Sequence, residues 1–321
     1  MRRQFDFEVE PFELEPEFDP ELEFFDPELG EEWYGEVTGT SPTSSSTSAA
    51  IPSGLKARSC PAGGGTTTAR CRTSQPCPRI PDLLCVTAVN NIPFEYVADG
   101  EGKKRIIRNR TNGLSQVVDR IPNREQRFIP EVGTALITFL ANMTRFGMPV
   151  AAILTMGSLY CRCKSGTNEL SNHSYGDAID ITGVRWAVSG RPQSTLADTI
   201  IHNYNSSDQR EKTLIRRINA CLRLSFATVI DYNYRSRPHR DHFHCDMNRK
   251  QGRPRGATTM SFVQEALTIV LGRNIPITGR FDNATQQGLQ DFSGVDRQAL
   301  NNTPQLNQVL DRLFIRIASG R

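Results

Sequence analysis

The chain has no C-x-x-C pair, no long apolar run and only five histidines among its 321 residues. Without a C-x-x-C pair, the cysteines lack the spacing of a structural zinc site, and their even number of eight favours disulfides formed in an oxidising compartment. No apolar run is long enough to cross a bilayer, so no transmembrane segment is expected. The start, M-R-R-Q-F-D-F-E-V-E, also lacks the apolar core of a Sec signal, so we expect secretion by a non-Sec route.

The charge is divided between an acidic arm and a basic body. Residues 1–36 contain 14 Asp or Glu and two Arg, a net charge of −12, and the whole chain carries +3, so residues 37–321 carry +15. A basic body favours anionic partners such as cell-wall polymer, nucleic acid or acidic lipid, or it is a solvated surface without a partner.

Composition predicts two segments without a core before the folded part. Residues 1–36 interleave acidic and apolar residues broken by prolines, which indicates a disordered arm that serves either as a docking or export tag or as a solubilising arm. Residues 37–80 have the Ser, Thr, Pro and Gly composition of a linker, so ordered structure is expected to begin near Pro81. Four cysteines in and beside this linker could form two bridges of undetermined connectivity: Cys60, Cys71, Cys77 and Cys85.

Periodicity predicts mixed structure in residues 81–248 and helices after them. Strands are predicted at 86–89, 94–97, 150–156, 178–181 and 227–232, with a turn at 98–102. One helix is predicted between Pro130 and Gly147, and another from Asp208, where Glu211 completes a capping box. After a linker at 249–259, residues 260–321 are predicted to form three helices: from Ser261, capped with Gln264 and ended by Gly272; at 282–292; and from Thr303.

Four of the five histidines lie in two short segments, S-N-H-S-Y-G-D-A-I-D at 171–180 and H-R-D-H-F-H at 239–244. The two-residue period of a strand directs Asp180 to one face, with Ile179 and Ile181 in the core, and puts His242 and His244 on one side. Adjacent strands would bring these faces together.

Two nitrogens and one oxygen, with a fourth position open, are the usual ligands of a catalytic zinc site. Such a site provides a hydroxide nucleophile near neutral pH, and a further imidazole can move protons. The alternative is that each histidine satisfies an ordinary hydrogen bond, which is the better interpretation for the isolated His202 but not for the cluster.

Four motifs carry a family resemblance: G-S-L-Y-C-R at 157–162, S-x-H-x-x-G-x-A-x-D at 171–180, N-A-C at 219–221, and D-Y-N through H-R-D-H-F-H at 231–244. In order and spacing, residues 130–248 resemble the bacterial extensin-like C-terminal family. This family is related to the D-alanyl-D-alanine carboxypeptidase and penicillin-insensitive murein endopeptidase zinc peptidases, which share the hedgehog fold. The resemblance implies an α+β fold, with a small antiparallel sheet and flanking helices, and a catalytic domain at 81–248.

The resemblance also implies residue roles. The zinc ligands would be His173, Asp180 and His244. The general base would be His242, although many relatives place a Glu there and the nearby acid here is Asp241, and His239 would stabilise the oxyanion. Substrate would be held by Arg162 and Ser171, whose alternatives are a surface ion pair and a turn cap.

The resemblance further implies a disulfide between Cys161 and Cys221, where the family has cysteines. The extra cysteines, Cys163 and Cys245, are expected to pair with each other. Cys245 as a fourth metal ligand is disfavoured because it neighbours His244 on a strand and should face the other way.

Residues 260–321 resemble a three-helix peptidoglycan-binding module. The matching pattern is Val263-Gln264-x-Ala266-Leu267, I-x-G-R-F at 277–281, and 285–292, although Asp282 stands where a glycine is usual. A plain helical spacer is the alternative.

Together these features predict a zinc metallopeptidase, of carboxypeptidase or endopeptidase type, that hydrolyses an amide bond next to D-alanine in peptidoglycan stem peptides or cross-links. It would act in the periplasm or cell wall, with no nucleic-acid partner, and the N-terminal arm would bind an export or delivery apparatus. The alternatives are a non-catalytic zinc-containing wall-binding protein and a metal-dependent nuclease, although a magnesium site would need further carboxylates.

Overall fold

A computed structural model of the chain describes residues 51–60, 68–69, 75–97, 106–108, 115–117, 120–122, 125–164, 167–187, 198–201, 204, 207–233, 239, 241–247 and 255–320. The predicted acidic arm at 1–36, the turn at 98–102 and His202 lie outside these residues. The described residues all belong to one compact unit, Ser48–Arg321.

The fold is mixed α/β, with fourteen strands and five helices in the described residues. The strands are β1 Leu55–Ser59, β2 Thr68–Ala69, β3 Gln75–Pro76, β4 Leu84–Val89, β5 Ile92–Val97, β6 Ile106–Arg108, β7 Ser115–Val117, β8 Arg120–Pro122, β9 Gln126–Phe128, β10 Val150–Gly157, β11 Ala178–Trp186, β12 Asp198–Ile200, β13 Thr228–Ile230 and β14 Phe243–Asp246. The helices are α1 Pro130–Arg145, α2 Gln209–Arg223, α3 Ala257–Leu271, α4 Asn283–Ser293 and α5 Thr303–Ala318. Within the described ranges, no helix is both long and apolar enough to cross a membrane.

Ten of the described strands form one sheet. Its main order is β1-β4-β5-β10-β11-β14-β13, with β9 beside β4, β8 beside β5 and β12 beside β11. The pairs are antiparallel except for β5 and β10, which are parallel. The prediction of a small sheet is therefore wrong, because the strands that precede α1 extend the sheet that carries the histidine segments. The five predicted strands are confirmed as β4, β5, β10, β11 and β13.

Ordered structure begins earlier than the predicted boundary near Pro81. β1 lies within the predicted linker and pairs with β4. Its Leu55 packs against α1 so closely that a Cβ on Gly133 would lie 2.5 Å from Leu55 Cδ1. A five-residue strand gains its stability from such non-local contacts. The surrounding residues are rich in Ser and Gly, so the local sequence did not predict this strand.

The first two helices begin where the local signals predict. α1 starts at Pro130, and Asp208 caps α2 by accepting a hydrogen bond from Arg210 N at 2.8 Å. Their apolar faces are buried in the core. Pro at a first helical position and Asp at an N-cap each satisfy backbone requirements locally, which is why sequence alone located them.

The C-terminal residues form the three predicted helices, but α3 begins one turn earlier than expected. Its N-cap is Gly256. The predicted capping pair of Ser261 and Gln264 is wrong, because both residues lie after the first turn of α3 and their side chains are buried. The Gln264 amide instead donates to Thr285 Oγ1 and to Arg280 O. Gly272 ends α3 in the left-handed conformation, as predicted.

Disulfides are present, as the even cysteine count predicts, and one of them lies within the predicted set of Cys60, Cys71, Cys77 and Cys85, of which Cys71 lies outside the described residues. Cys60 bonds to Cys85, and Cys77 bonds to Cys161. The expected Cys161–Cys221 bridge is therefore wrong: Cys161 lies on the loop after β10 beside Cys77, whereas Cys221 is a free thiol buried on the core face of α2.

The expected Cys163–Cys245 bridge is also wrong. Cys163 is disulfide-bonded, but Cys245 is a free cysteine within the hydrophobic core. Strand alternation accounts for this, because Cys245 directly follows His244 on β14 and faces the opposite side of the sheet. Because Cys245 faces away from His244, it is not placed to be a fourth metal ligand, as the sequence predicted.

Candidate metal centre

Two of the predicted ligands meet across neighbouring strands. Asp180 of β11 is the register partner of His244 of β14, and Asp180 Oδ1 lies 3.1 Å from His244 Nδ1. Ile179 and Ile181 are fully buried on the core side of the sheet, as the alternation predicts. Thr155 Oγ1 donates to Asp180 O at 2.7 Å and fixes the backbone of β11 at this point.

The third ligand, His173, lies on a 3-10 turn at Asn172–Tyr175. Gly176 ends the turn with a φ of 70°, and a Cβ there would lie 2.9 Å from Leu83 Cδ1, so glycine suits the position in both conformation and space. His173 Nδ1 lies 2.6 Å from Ser158 O. A carbonyl oxygen only accepts, so Nδ1 carries the proton and His173 Nε2 presents its lone pair.

The three donor atoms form a nearly equilateral triangle. His173 Nε2 lies 3.0 Å from His244 Nδ1 and 3.1 Å from Asp180 Oδ1, which completes the triangle with the 3.1 Å distance above. Atoms about 2.0–2.2 Å from a tetrahedral zinc ion stand about 3.3–3.5 Å apart, close to these values. Two imidazole nitrogens and one carboxylate oxygen that converge at this distance could hold a metal ion, so the residues present fit one.

The second nitrogen of His244 is oriented by another carboxylate. His244 Nε2 lies 3.2 Å from Asp246 Oδ2, which places the ring proton on Nε2 and leaves Nδ1 for the metal. Burial lowers the pKa of His244, but Asp180 and Asp246 together raise it to about 9. Burial likewise raises the pKa of Asp180, but the neighbouring His173 and His244 hold it well below its usual range. The site therefore favours an ionised carboxylate and a positive charge beside it.

His242 lies next to the triangle without belonging to it. Its Nδ1 lies 2.8 Å from Asp241 Oδ1, and its Nε2 lies 3.7 Å from Asp180 Oδ1. The Asp241 carboxylate accepts the Nδ1 proton, so the lone pair of Nε2 faces the metal position. This is the orientation that a general base beside a metal requires.

His239 completes the group of imidazoles. Its ring centroid lies 5.1 Å from that of His242 and 6.0 Å from that of His244. Burial, followed by the two neighbouring histidines, lowers the pKa of His239 to about 3. His239 is therefore neutral at physiological pH.

The two predicted substrate residues lie at the same end of the sheet. Arg162 is exposed, with its guanidinium carbon 5.7 Å from the centroid of the Tyr160 ring, and its charge contributes to the lowered pKa of His239. Ser171 is buried, and its Oγ has no hydrogen-bond partner among the described residues and does not cap the turn that it precedes. The backbone joins the two, because Ser171 N donates to Arg162 O at 2.9 Å.

Two residues that orient the ligands were not predicted from the sequence. Asp246 orients His244, and the same strand alternation that linked His242 with His244 would have found it, since Asp246 is the next residue on that face. Ser158 orients His173 through its backbone carbonyl, and such a contact leaves no side-chain signal in a sequence.

No curated protein and no solved structure matches the chain. A protein-family model does match part of it, over a range that includes all three candidate ligands together with Arg162, Ser171, His239 and His242. The match spans residues 136–255 and is to the family described as extensin-like protein C-terminus.

Proposed function

We propose that the protein is a zinc-dependent peptidase that hydrolyses an amide bond next to D-alanine in peptidoglycan stem peptides or cross-links. The observation that carries the proposal is the triangle of His173, Asp180 and His244 donor atoms with the Nε2 of His242 beside it. Two nitrogens and one carboxylate with an adjacent base are the usual parts of a catalytic rather than a structural zinc site.

Zinc bound by these three ligands would supply Lewis-acid activation of water and of a carbonyl group. The residues of the chain supply the proton transfers. His242 Nε2 accepts the proton of the attacking water, because Asp241 holds its other nitrogen in the protonated form. The imidazolium then donates that proton to the leaving amine, and the ion pair with Asp241 stabilises the charged intermediate form of the ring.

His239 and Arg162 have complementary tasks in this scheme. A neutral His239, with its pKa lowered to about 3, offers one N–H to a developing oxyanion without bringing a positive charge close to the metal. The exposed guanidinium of Arg162 suits a carboxylate of the stem peptide, to which it can donate in bidentate fashion. Ser171, whose buried Oγ makes no hydrogen bond among the described residues, is the second candidate for a contact with this substrate.

We further propose that the enzyme acts in the periplasm or cell wall. The disulfides support an oxidising compartment, and the +15 charge of residues 37–321 supports an anionic polymer as partner. Wall binding by α3, α4 and α5, and delivery through the acidic arm at 1–36, remain proposals that rest on the sequence alone.

The test is digestion of purified sacculi by the zinc-loaded full-length protein, with muropeptides separated and identified by mass spectrometry. Fragments cut next to D-alanine are expected, and Asp180→Ala or His244→Ala should abolish their release. Glu95→Gln is the matched control, because Glu95 is a buried acid of the same sheet that pairs with Arg185 away from the metal triangle. Equal release by wild type and both ligand variants would refute the assignment, and zinc binding with wall affinity but no release would favour a non-catalytic binding protein.

A further inference from the structure

Glu265 of α3 is a buried carboxylate with four hydrogen-bond donors around it. Its Oε1 accepts from Tyr204 Oη at 2.5 Å and from Arg216 Nε at 2.7 Å, and its Oε2 accepts from Tyr232 Oη and Asn233 Nδ2, both at 2.9 Å. Burial, followed by the charge of Glu265, raises the pKa of both phenols, so both remain donors at neutral pH. A carboxylate offers about four acceptor positions, and here all of them are used.

Two of these donors belong to the chain segment that leads to the histidines. Tyr232 and Asn233 lie two and three residues after the end of β13, which pairs with β14, and they precede His239. The Tyr232 ring stacks on Tyr204 at a centroid distance of 3.5 Å and contacts the edge of Phe243, the residue between the two histidines of the H-F-H motif, at 6.5 Å. Glu265 therefore holds the near end of this segment from the side of the C-terminal helices.

A second polar contact holds the same segment. Asp231 is fully buried and accepts from Asn219 Nδ2 at 2.6 Å and from Arg223 Nη2 at 2.8 Å. Arg223 Nη2 also donates to Thr258 O at the start of α3, at 3.1 Å. Residues 231–233 are thus connected to α3 through two separate sets of hydrogen bonds, one of them centred on Glu265.

We propose that Glu265 is a positioning residue for the histidine segment, which comprises the described residues 231–233, 239 and 241–244, and that α3 is part of the catalytic framework and not only a wall-binding element. Glu265 acts through Tyr232 and Asn233 and not by contact with substrate. The kinetic consequence rests on the proposed peptidase function, whereas the effect on the ordering of the segment does not.

The first test is Glu265→Gln in the full-length protein. The substitution keeps the shape of the side chain but turns an NH2 group toward donors, so bonds to the segment are lost. Hydrogen exchange of the backbone amides of 231–233 and 241–244 should become about tenfold faster, which corresponds to one lost buried interaction. Arg217→Gln is the matched control. Arg217 donates to Ala318 O at the end of α5 at 2.8 Å and to Phe146 O at 2.6 Å, and neither acceptor belongs to the histidine segment. Unchanged exchange in Glu265→Gln, or equal acceleration of the segment by Arg217→Gln, would overturn the proposal.

The second test separates kcat from KM on a soluble peptide that ends in D-alanyl-D-alanine. Glu265→Gln should lower kcat about tenfold and change KM less than about twofold, with zinc content unchanged, whereas Arg217→Gln should keep the wild-type kcat. A wild-type kcat in Glu265→Gln would overturn the proposal. If the wild-type protein cleaves neither this peptide nor sacculi, the proposed function fails, and the exchange measurement alone decides the positioning role.

A second pair of variants covers the case in which Glu265→Gln does not fold. Tyr232→Phe and Tyr204→Phe each remove one hydrogen bond to Glu265 and keep the stacked rings, but only Tyr232 lies in the histidine segment. Tyr232→Phe should speed amide exchange in 231–233 and 241–244, and Tyr204→Phe should leave it near the wild-type rate. Equal effects of the two variants would show that Glu265 does not position this segment.

Discussion

Asp180 and His244 lie directly opposite each other on β11 and β14, although 64 residues separate them in the chain. Their side chains meet because both strands present every second residue to the same face of the sheet. A slip of one residue in either strand would turn one of the two side chains into the core. The metal centre therefore depends on the register of this single strand pair.

Replacement of Asp246 by Asn should weaken zinc binding about 10- to 100-fold, because Asp246 orients His244 and raises its basicity. The measurement is competition for zinc with a chelator of known affinity. Glu95→Gln again serves as the control, since it removes a buried carboxylate from the same sheet and should leave zinc affinity unchanged. An unaltered affinity in Asp246→Asn would mean that other contacts orient His244.

Replacement of Asp241 by Asn should lower kcat at least about tenfold while zinc stays bound. Asp241 accepts the Nδ1 proton of His242 and would stabilise its protonated form, so loss of the charge weakens the base. Steady-state kinetics and metal analysis on the same sample check both expectations. Asp208→Asn provides a control with the same change of charge at the N-cap of α2, where it should lower stability only.

Asp177 should make the metal-free protein less stable as pH rises. Burial, followed by the charge of Asp246, raises the pKa of Asp177 from 3.8 to about 6. A carboxyl whose folded pKa lies above its unfolded value stabilises the fold below about pH 3.8, and this contribution is lost as pH rises through about 6. Asp177→Asn should therefore raise the free energy of unfolding by about 1 kcal/mol at pH 8, a value reduced for partial exposure, and by nearly nothing at pH 4. The measurement is denaturant titration at both pH values after removal of metal. A lower free energy of unfolding in Asp177→Asn at pH 8, or a gain of equal size at both pH values, would contradict the prediction.

Loss of the Cys77–Cys161 disulfide should reduce both stability and activity. The variant with Ser at both Cys77 and Cys161 is expected to lose about 2–5 kcal/mol of its free energy of unfolding. Because Cys161 precedes Arg162 on the loop beside the metal centre, the variant should also release fewer fragments from sacculi. A double Ser variant of Cys60 and Cys85 is the control, because it removes a disulfide that joins β4 to the end of β1. Peptide mapping of the unreduced wild type should first show the Cys60–Cys85 and Cys77–Cys161 disulfides, Cys163 in a disulfide, and free thiols at Cys221 and Cys245.

The sequence predicted the convergence of the ligands because strand alternation is a strictly local rule. Asp180, His242 and His244 lie where a period of two puts them, and Asp208 and Gly272 terminate helices through bonds to their own neighbours. The ligand triangle therefore follows from two short motifs and one assumption, that the strands are adjacent.

Features that depend on distant segments were not predictable in this way. The Cys77–Cys161 bond joins residues 84 positions apart, and no local pattern distinguishes it from the other possible pairings. Ser261 and Gln264 have the spacing of a capping box, yet the preceding residues from Ala257 continue the helix and bury both side chains. In each case tertiary packing decided between outcomes that are equivalent at the level of sequence.

The position of β1 limits where the chain can be divided. A fragment that begins near Pro81, where the composition changes, would leave Cys85 and Cys161 as reactive thiols and would expose the backbone of β4 along the side that β1 covers. An open strand edge of this kind is a template for pairing with other molecules, so such a fragment would tend to aggregate. β1 therefore protects this edge of the sheet from pairing with other molecules.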